Sequence, residues 1–312
     1  MSSSKTSGPS RASGTIRIGT RGSALAVAQT QTIANALIAR GADVEIITVT
    51  THGDTSKESL ATLGGTGVFA SALRDALLAG ECDVVVHSLK DLPTASTPGL
   101  VIAAVPKRAD ARDALCARDE LTLESLPEGA KVGTGSPRRV AQLLARRPDL
   151  EIVDIRGNVD TRLKRVGDDL DAVVLAAAGL ERIGRSDAVT DFLSLSGWPT
   201  APGQGALALE VRVGDEKLVA ALDHKPTHTI VDAERAVLAQ LEAGCAAPIA
   251  AHGFIDDGLL FLDARVYAPD GTSKVTSSHA MYVDDSKTPA ADVAGRVSAE
   301  LIALGAADIA PL

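Results

Sequence analysis

The sequence predicts an α/β protein: two α/β domains that flank a cleft, followed by a smaller α+β domain at the carboxyl end. Three observations lead to this class. Short β-branched runs alternate with helical segments, which is typical of a mainly parallel sheet. The strand, turn and helix pattern restarts at Lys131, after a densely charged stretch at 106–113. Beyond Pro226 the pattern changes to a helix, three strand-like runs and a last helix.

The expected boundaries follow these changes of pattern. Residues 1–13 are rich in serine and lack the apolar core of a secretory signal, so we expect a disordered tail; a short transit peptide is the alternative. Domain 1 comprises 14–107 and 203–225, domain 2 comprises 108–202, and domain 3 comprises 226–312. Because the chain crosses twice between the first two domains, we expect a hinged cleft.

The bulk composition excludes several classes of partner. The chain of 312 residues is 45% apolar and can bury a large core, while a net charge of −9 and 2% aromatic residues argue against nucleic-acid binding. No run is long enough to span a membrane. Three cysteines without a C-x-x-C pair argue against a disulfide framework and a zinc site, which suits a reducing cytoplasm. No heptad run or large apolar helix face indicates an oligomer, so we expect a monomer.

The first strand is expected at Thr15–Gly19, and a helix follows that ends at Arg40 before a glycine. Ser23 is placed to cap this helix, so its free N–H groups and Arg21 could face an anion. Ordinary capping beside a surface arginine is the alternative. A second strand at Val44–Thr50 comes next.

A polar, glycine-rich loop spans 51–67. It has neither the lysine of a phosphate-binding loop nor a G-x-G-x-x-G pattern opening a helix, which excludes both nucleotide motifs. We expect a mobile loop near the cleft. A helix at Phe69–Leu78 then leads to the next strand.

The run Val84–His87 indicates a strand that is buried on both faces. It ends in Ser88, Lys90 and Asp91 before Pro93. In open α/β sheets, ligands bind outside the carboxyl ends of the strands, so Asp91 is the first candidate for chemistry. The alternative is that Lys90 and Asp91 form a solvated turn. One more strand is expected at Val101–Val105.

Domain 2 repeats this design with more positive charge. A strand at Lys131–Gly133 precedes Ser136 as the expected N-cap and Pro137 at the first helical position. Further strands are expected at Glu151–Ile155 and Ala172–Ala176. Arginines follow all three strands, and forked guanidinium donors suit carboxylates or phosphates; single surface arginines are the alternative. These arginines are Arg138, Arg139, Arg156, Arg162 and Arg182.

A strand at Ala206–Val211 is expected to return the chain to domain 1. The elements expected in domain 3 are a helix at Asp232–Glu242, strands at Ile249–Phe254, Leu259–Tyr267 and Ser273–Tyr282, and a helix at Pro289–Leu304. Cys245 lies in a turn after the first of these helices, where an accessible thiol could carry a covalent adduct. A packed turn cysteine is the alternative. Cys82 and Cys116 lie beside buried strands and are expected to be inert.

Six motifs occur in order over nearly the whole chain after the tail. They are Arg21-Gly22-Ser23, His87-Ser88-Leu89-Lys90-Asp91-Leu92-Pro93, Gly133-Thr134-Gly135-Ser136-Pro137-Arg138-Arg139, Arg156-Gly157-Asn158, Pro202-Gly203-Gln204-Gly205 and Gly244-Cys245. With these motifs the chain resembles the porphobilinogen deaminase family, also called hydroxymethylbilane synthases. The resemblance implies two periplasmic-binding-protein-like domains and a third domain. It also implies a dipyrromethane cofactor, made from the substrate and joined by a thioether to Cys245.

The implied reaction joins four porphobilinogen units head to tail with loss of ammonia, and water then releases linear hydroxymethylbilane. The resemblance implies that Asp91 is catalytic. The implied cofactor-binding residues are Cys245, Lys90, Ser136, Arg138, Arg139 and Arg156, and the implied substrate-binding residues are Arg21, Ser23, Arg156, Arg162 and Arg182. The chain departs from the family at Thr62 and Thr66, where lysines are expected, and Lys57 is a possible substitute.

A hinged anion-binding receptor without catalysis is the main alternative, because it also needs two α/β domains and arginines. It explains neither Cys245 nor the missing secretion signal. A nucleotide-dependent enzyme is a weaker alternative, since the phosphate-loop lysine is missing.

Overall fold

A computed structural model describes residues 14–49, 67–242 and 247–310. Its strands form two five-stranded sheets and one three-stranded sheet, which confirms the predicted α/β class with a smaller C-terminal α+β unit. The tail 1–13, most of the glycine-rich loop with Lys57, Thr62 and Thr66, and Cys245 lie outside the described residues. No helix within those ranges is long and apolar enough to cross a membrane.

The first sheet has the strand order β2-β1-β3-β10-β4. Strand β10 runs antiparallel to both of its neighbours, so the sheet is mixed. Val84 and Val86 pack with α1 residues, whereas Val85 packs with α2 residues on the opposite face, which explains the unbroken apolar run. The elements are β1 (Ile16–Thr20), α1 (Ala24–Ile38), β2 (Val44–Thr48), α2 (Gly67–Leu78), β3 (Val84–Ser88), β4 (Leu100–Ala104) and β10 (Leu207–Arg212).

The second sheet has the equivalent order β7-β6-β8-β5-β9, with β5 antiparallel to its neighbours. The sequence analysis missed β5 and β9. The charged residues before β5 resemble a solvated crossing, and β9 has only three residues. The elements are β5 (Asp113–Ala117), β6 (Lys131–Gly133), α3 (Pro137–Arg146), β7 (Glu151–Val153), α4 (Val159–Leu163), β8 (Ala172–Ala176), α5 (Ala177–Arg182) and β9 (Asp191–Leu193).

The third sheet is an antiparallel meander in the order β11-β12-β13, and helices cover one face. The sequence analysis placed the start of α6 at Asp232, which is wrong, because the helix begins at Lys225. His224 Nδ1 accepts the Thr227 N–H at 3.3 Å as a cap, and Pro226 fits the first turn, where an N–H is not needed. The elements are α6 (Lys225–Gln240), β11 (Ile249–Asp256), β12 (Leu259–Tyr267), β13 (Lys274–Tyr282), α7 (Pro289–Ala303) and α8 (Ala306–Ile309).

Short 3₁₀ turns complete the described secondary structure. They are Leu89–Asp91, Arg118–Glu120, Ser186–Ala188, Glu216–Leu218, Ala220–Leu222 and Val283–Asp285. The two segments that connect the first and second sheets lie side by side, and the Ala109 N–H donates to Gly205 O at 3.3 Å. Gly205 has φ +85°, and a Cβ there would lie 2.8 Å from Ala109 O. Only glycine therefore allows the two crossing segments to pass this closely.

Candidate active site

A cavity opens at the carboxyl ends of β1 and β3, the edge of the first sheet where the sequence analysis placed a ligand site. Ser23 Oγ accepts the Ala26 N–H at 3.3 Å, which confirms Ser23 as the N-cap of α1. Gln29 Nε2, one turn further along α1, donates to Ser88 Oγ at 2.8 Å. The polar side chains that line the cavity are Arg21, Ser23, Gln29, His87, Ser88 and Asp91.

Asp91 ends the 3₁₀ turn that follows β3, and its side chain is exposed at the cavity. Leu89 and Leu92, on either side of it, are buried and hold the turn against the protein. The Leu89 N–H donates to Ala206 O at 3.1 Å, which links the turn to the returning segment before β10. The structure therefore presents a carboxylate at the cavity from an anchored turn.

Lys90 lies beside Asp91 in the same turn but contacts a different part of the molecule. Its Nζ donates to Gln204 Oε1 at 3.2 Å. Burial is the main cause that lowers the pKa of Lys90 to about 8, and the nearby Arg139 lowers it further. Because one pH unit above its pKa an amine keeps only about a tenth of its charge, Lys90 loses its positive charge in mildly alkaline solution.

Arg138 and Arg139 are buried at the start of α3 and share one carboxylate. Arg138 Nη2 donates to Asp113 Oδ2 at 2.9 Å, and Arg139 Nη2 donates to Asp113 Oδ1 at 2.6 Å. Asp113 is completely buried, and both guanidinium groups outweigh the effect of burial and hold its pKa far below the usual range. The Nε atoms of both arginines are buried without a hydrogen-bond partner among the described residues.

Asp113 also accepts hydrogen bonds from Trp198 Nε1 at 2.9 Å and from Gln204 Nε2 at 2.8 Å. Gln204 thus connects Lys90, on the turn of the first sheet, to the buried charge cluster of the second sheet. Sequence reasoning missed this cluster, because Asp113 follows other charged residues that look solvated. The prediction that Ser136 is the N-cap of α3 is confirmed, although its side chain makes no capping hydrogen bond.

The three remaining arginines take up different positions. Arg162 is half-buried, and burial, Arg139 and Arg156 lower its pKa, while Asp91 is close enough to oppose that shift. Arg156 is exposed and approaches Asp154 only at 3.4 Å. Arg182 Nη2 donates to Gly205 O at 2.7 Å, at the crossing between the sheets. The charges of Arg139, Arg156 and Asp91 therefore all act on Arg162.

A second buried cluster lies behind the cavity. Glu210 on β10 accepts from Arg74 Nη2 at 2.9 Å and lies 3.1 Å from His87 Nε2. The sequence analysis missed Glu210, although an acidic residue inside the apolar run Ala206–Val211 was a usable signal, since a buried carboxylate needs a paired cation. This pairing explains why the polar His87 can lie inside the fold.

Two of the three cysteines, Cys82 and Cys116, lie in the part of the chain that the structure describes. Cys82 and Cys116 are buried, and burial raises the pKa of both thiols, that of Cys116 to about 12. Their burial is as predicted, and the raised pKa values disfavour the thiolate, which is the reactive form of a cysteine. Among the described residues, no group of three or more His, Cys, Asp or Glu side chains could hold a metal ion.

Two protein-family models match the chain over most of its length. Residues 16–220 match the family model "Porphobilinogen deaminase, dipyromethane cofactor binding domain", and residues 228–303 match "Porphobilinogen deaminase, C-terminal domain". The first match covers both five-stranded sheets, and the second covers the three-stranded sheet with most of its helices. A periplasmic substrate-binding protein of an ABC transporter from Coxiella burnetii aligns with a TM-score of 0.43 at 18% identity, over 66% of this chain and 91% of that chain.

Curated relatives match over almost the full length. The chain is 67% identical over 316 residues to the porphobilinogen deaminase of Leifsonia xyli, covering 97% of this chain and 96% of that protein. It is 53% identical over 324 residues to the porphobilinogen deaminase of Cutibacterium acnes, covering 95% of this chain and 97% of that protein. The chain therefore belongs to the porphobilinogen deaminase family.

Proposed function

We propose that the chain is a hydroxymethylbilane synthase of tetrapyrrole biosynthesis. It condenses four porphobilinogen molecules head to tail, with loss of ammonia at each step, and water releases the linear hydroxymethylbilane. One observation carries the proposal within the fold: the Asp91 carboxylate is exposed at a cavity that Arg21 and Ser23 also line. This arrangement suits a substrate that becomes cationic at its reacting carbon and is anionic at its periphery.

Asp91 is the proposed catalytic residue. When the aminomethyl nitrogen of porphobilinogen leaves as ammonia, the remaining pyrrole is an electron-poor azafulvenium. A carboxylate beside the pyrrole N–H stabilises this positive charge, and the same oxygen atoms can accept or return a proton. The anchored turn keeps Asp91 in place, so little reorganisation is needed when the charge develops.

The acetate and propionate groups of each pyrrole need cationic partners. For the substrate we propose Arg21, Ser23, Arg156, Arg162 and Arg182. Arg21 and Ser23 line the same cavity as Asp91, at the N-terminus of α1, and a helix start favours an anion. Arg182 donates to a backbone carbonyl through Nη2. It would bind the substrate through its other N–H groups.

The family implies a dipyrromethane cofactor, and the charge cluster fits such a group. The buried Nε donors of Arg138 and Arg139 lack partners among the described residues, and a polycarboxylate can accept hydrogen bonds from them. When bound, the group supplies the terminal pyrrole carbon to which substrate is added. We propose Cys245 as its thioether anchor, with Lys90, Ser136, Arg138, Arg139 and Arg156 binding its carboxylates.

The proposal includes the organisation of the chain. Domain 1 (14–107 and 203–225) would contain the first sheet, domain 2 (108–202) the second and domain 3 (226–312) the third. This division is supported by the strand membership of each sheet, since β10 joins the first sheet after the chain has crossed back. We further propose that the protein is a monomer and that it is cytoplasmic, and the unpaired Cys82 and Cys116 support the second of these proposals.

An anion-binding receptor is the alternative to be tested. The purified protein is incubated with porphobilinogen, and ammonia and linear tetrapyrrole are measured over time. The expected result is four molecules of ammonia per tetrapyrrole over many turnovers. Stoichiometric, reversible binding of porphobilinogen without ammonia would contradict the enzyme and support the receptor.

A further inference from the structure

Arg235 on α6 reaches from the third sheet's helix layer to the turn that carries Asp91. Its Nη1 donates to Leu89 O at 3.1 Å and to Leu92 O at 2.8 Å. Its Nη2 donates to Pro93 O at 2.8 Å. These three carbonyl groups belong to residues before and after Lys90 and Asp91. One guanidinium therefore binds the backbone on both sides of the proposed catalytic residue.

The turn needs such a partner. A 3₁₀ turn of three residues contains few hydrogen bonds of its own, and here the Leu92 N–H donates to Leu89 O at 3.2 Å. Leu92 and Pro93 lie outside the regular strands and helices. A planar guanidinium with several N–H donors in fixed directions binds three such oxygens at once, which an ammonium group on a flexible chain does less well.

Arg235 is itself held in a fixed place by its neighbour. Glu234 is completely buried and accepts from Arg108 Nη1 at 2.7 Å, from the Gly203 N–H at 2.7 Å and from the Gly253 N–H at 2.8 Å. These contacts join α6 to the two crossing segments and to β11. In the sequence, Cys245 follows Arg235 by ten positions.

We propose that Arg235 is a positioning residue for the reaction: through the carbonyls of Leu89, Leu92 and Pro93 it holds Asp91 at the distance from the pyrrole that catalysis requires. The inference rests on the proposed function of Asp91. It adds that the third domain, which carries the proposed cofactor anchor, also sets the geometry of the catalytic turn. Arg235 touches no substrate in this role, so it acts only through Asp91.

A matched control separates positioning from general stabilisation. Arg147 is also partly buried and donates to backbone carbonyls, Leu123 O at 2.8 Å and Leu126 O at 2.9 Å. Those carbonyls belong to the second sheet's periphery and not to the proposed site. Arg147→Met and Arg235→Met remove the same side-chain groups, so a purely structural effect will be similar in both variants.

The experiment uses the full chain loaded with porphobilinogen and confirmed by intact mass. We compare wild type, Arg235→Met, Arg235→Lys, Arg147→Met, Asp91→Asn and the double variant Asp91→Asn/Arg235→Met. We measure kcat and KM for ammonia release and the thermal unfolding midpoint. Arg235→Met is expected to lower kcat by roughly 10- to 100-fold with KM within about twofold, because small displacements of a catalytic group cost this much.

Three further results are expected. Arg235→Lys recovers part of kcat, Arg147→Met keeps wild-type kcat, and the double variant is no slower than Asp91→Asn alone, since Arg235 acts through Asp91. The inference is overturned if Arg235→Met keeps kcat, if Arg147→Met loses as much, or if the two substitutions in the double variant multiply. If Arg235→Met does not fold, Arg235→Lys decides by the same criteria. If wild type releases only the ammonia that accompanies formation of its adduct and then turns over no further porphobilinogen, the proposed function fails first.

Discussion

The two five-stranded sheets have equivalent strand orders, but the charged side chains near their helix starts are at least partly exposed in the first sheet and buried in the second. In the first sheet, the turn from β1 to α1 opens to a cavity, where Arg21 and Ser23 share the lining with an exposed Asp91. In the second sheet, the equivalent turn from β6 to α3 is followed by two buried arginines that share the buried Asp113. The two helix starts therefore occupy equivalent places on their sheets, while buried partners decide which charges remain available.

The difference has a physical cause. A guanidinium that loses its water needs a compensating carboxylate, and a second guanidinium beside it needs one even more. Asp113 supplies this compensation and leaves the cluster with one positive charge in excess, together with two unpartnered Nε donors among the described residues. The second sheet therefore contains a buried cluster of net positive charge, whereas the first sheet presents the exposed carboxylate of Asp91.

The largest effect is expected from a substitution of Asp91, the exposed carboxylate of the first sheet. Asp91→Asn is expected to lower the rate of ammonia release by about 10² to 10⁴, because the neutral amide neither stabilises a cationic pyrrole nor transfers a proton. Folding is expected to be unchanged, since the side chain is exposed. The measurement is single-turnover ammonia release, with circular dichroism as the control for folding. Near-normal release would remove Asp91 from the mechanism.

Asp113 gives the corresponding test for the second sheet. Asp113→Asn leaves two buried guanidinium groups without their counter-charge, and we expect a loss of about 3–5 kcal/mol in the free energy of unfolding. Urea denaturation at neutral pH measures it. The matched control is Asp154→Asn, which alters an exposed contact to Arg156 at 3.4 Å and is expected to change stability by at most about 1 kcal/mol.

The lowered pKa of Asp113 also predicts how the free energy of unfolding changes with pH. Because the pKa of Asp113 is lowered on folding, its contribution to stability is present above the unfolded value of about 3.9 and is lost as the pH falls below it. Asp113→Asn is therefore expected to flatten the acid side of the stability profile. An acid profile identical to that of wild type would contradict the assigned pairing.

Lys90 contacts Gln204, which in turn contacts Asp113 of the second sheet. The smallest change in rate is expected from the titration of Lys90. Its pKa of about 8 means that its positive charge is lost as the pH rises through that value. We expect kcat/KM to fall by up to about fivefold between pH 8 and pH 9, because the protonated fraction of Lys90 falls from about one half to about one eleventh. Lys90→Arg keeps its charge and is expected to lack this alkaline limb. An unchanged limb in that variant would assign it to another group.

Local sequence was sufficient for elements with a clear apolar pattern. β6, β8 and β12 have the bounds that the sequence predicts, and β3 differs by one residue. Continuous buried apolar runs identify β3 and β8, and buried positions alternate along most of β12. The start of α6 was missed because a proline was interpreted as a boundary and not as the first turn. The 3₁₀ turn after β3 was interpreted correctly as a polar edge, since a proline follows its polar residues.

The charge pairs were not predictable in this way. Asp113 lies 25 positions from Arg138 and 91 from Gln204, and no local pattern indicates that these groups meet. Arg235 is likewise 143 positions from Leu92. Such contacts depend on how the crossing segments and the third domain pack, so sequence could identify the arginines as a group but not their partners.

The most direct test of the account is the intact mass of the purified, acid-denatured protein, followed by peptide mapping. A thioether survives this treatment, whereas noncovalent ligands are removed. The account predicts an added mass of two substrate-derived pyrrole units on the peptide that contains Cys245, either as purified or after incubation with porphobilinogen, and none in Cys245→Ser. An unmodified chain after incubation, or an adduct on another residue, would contradict it.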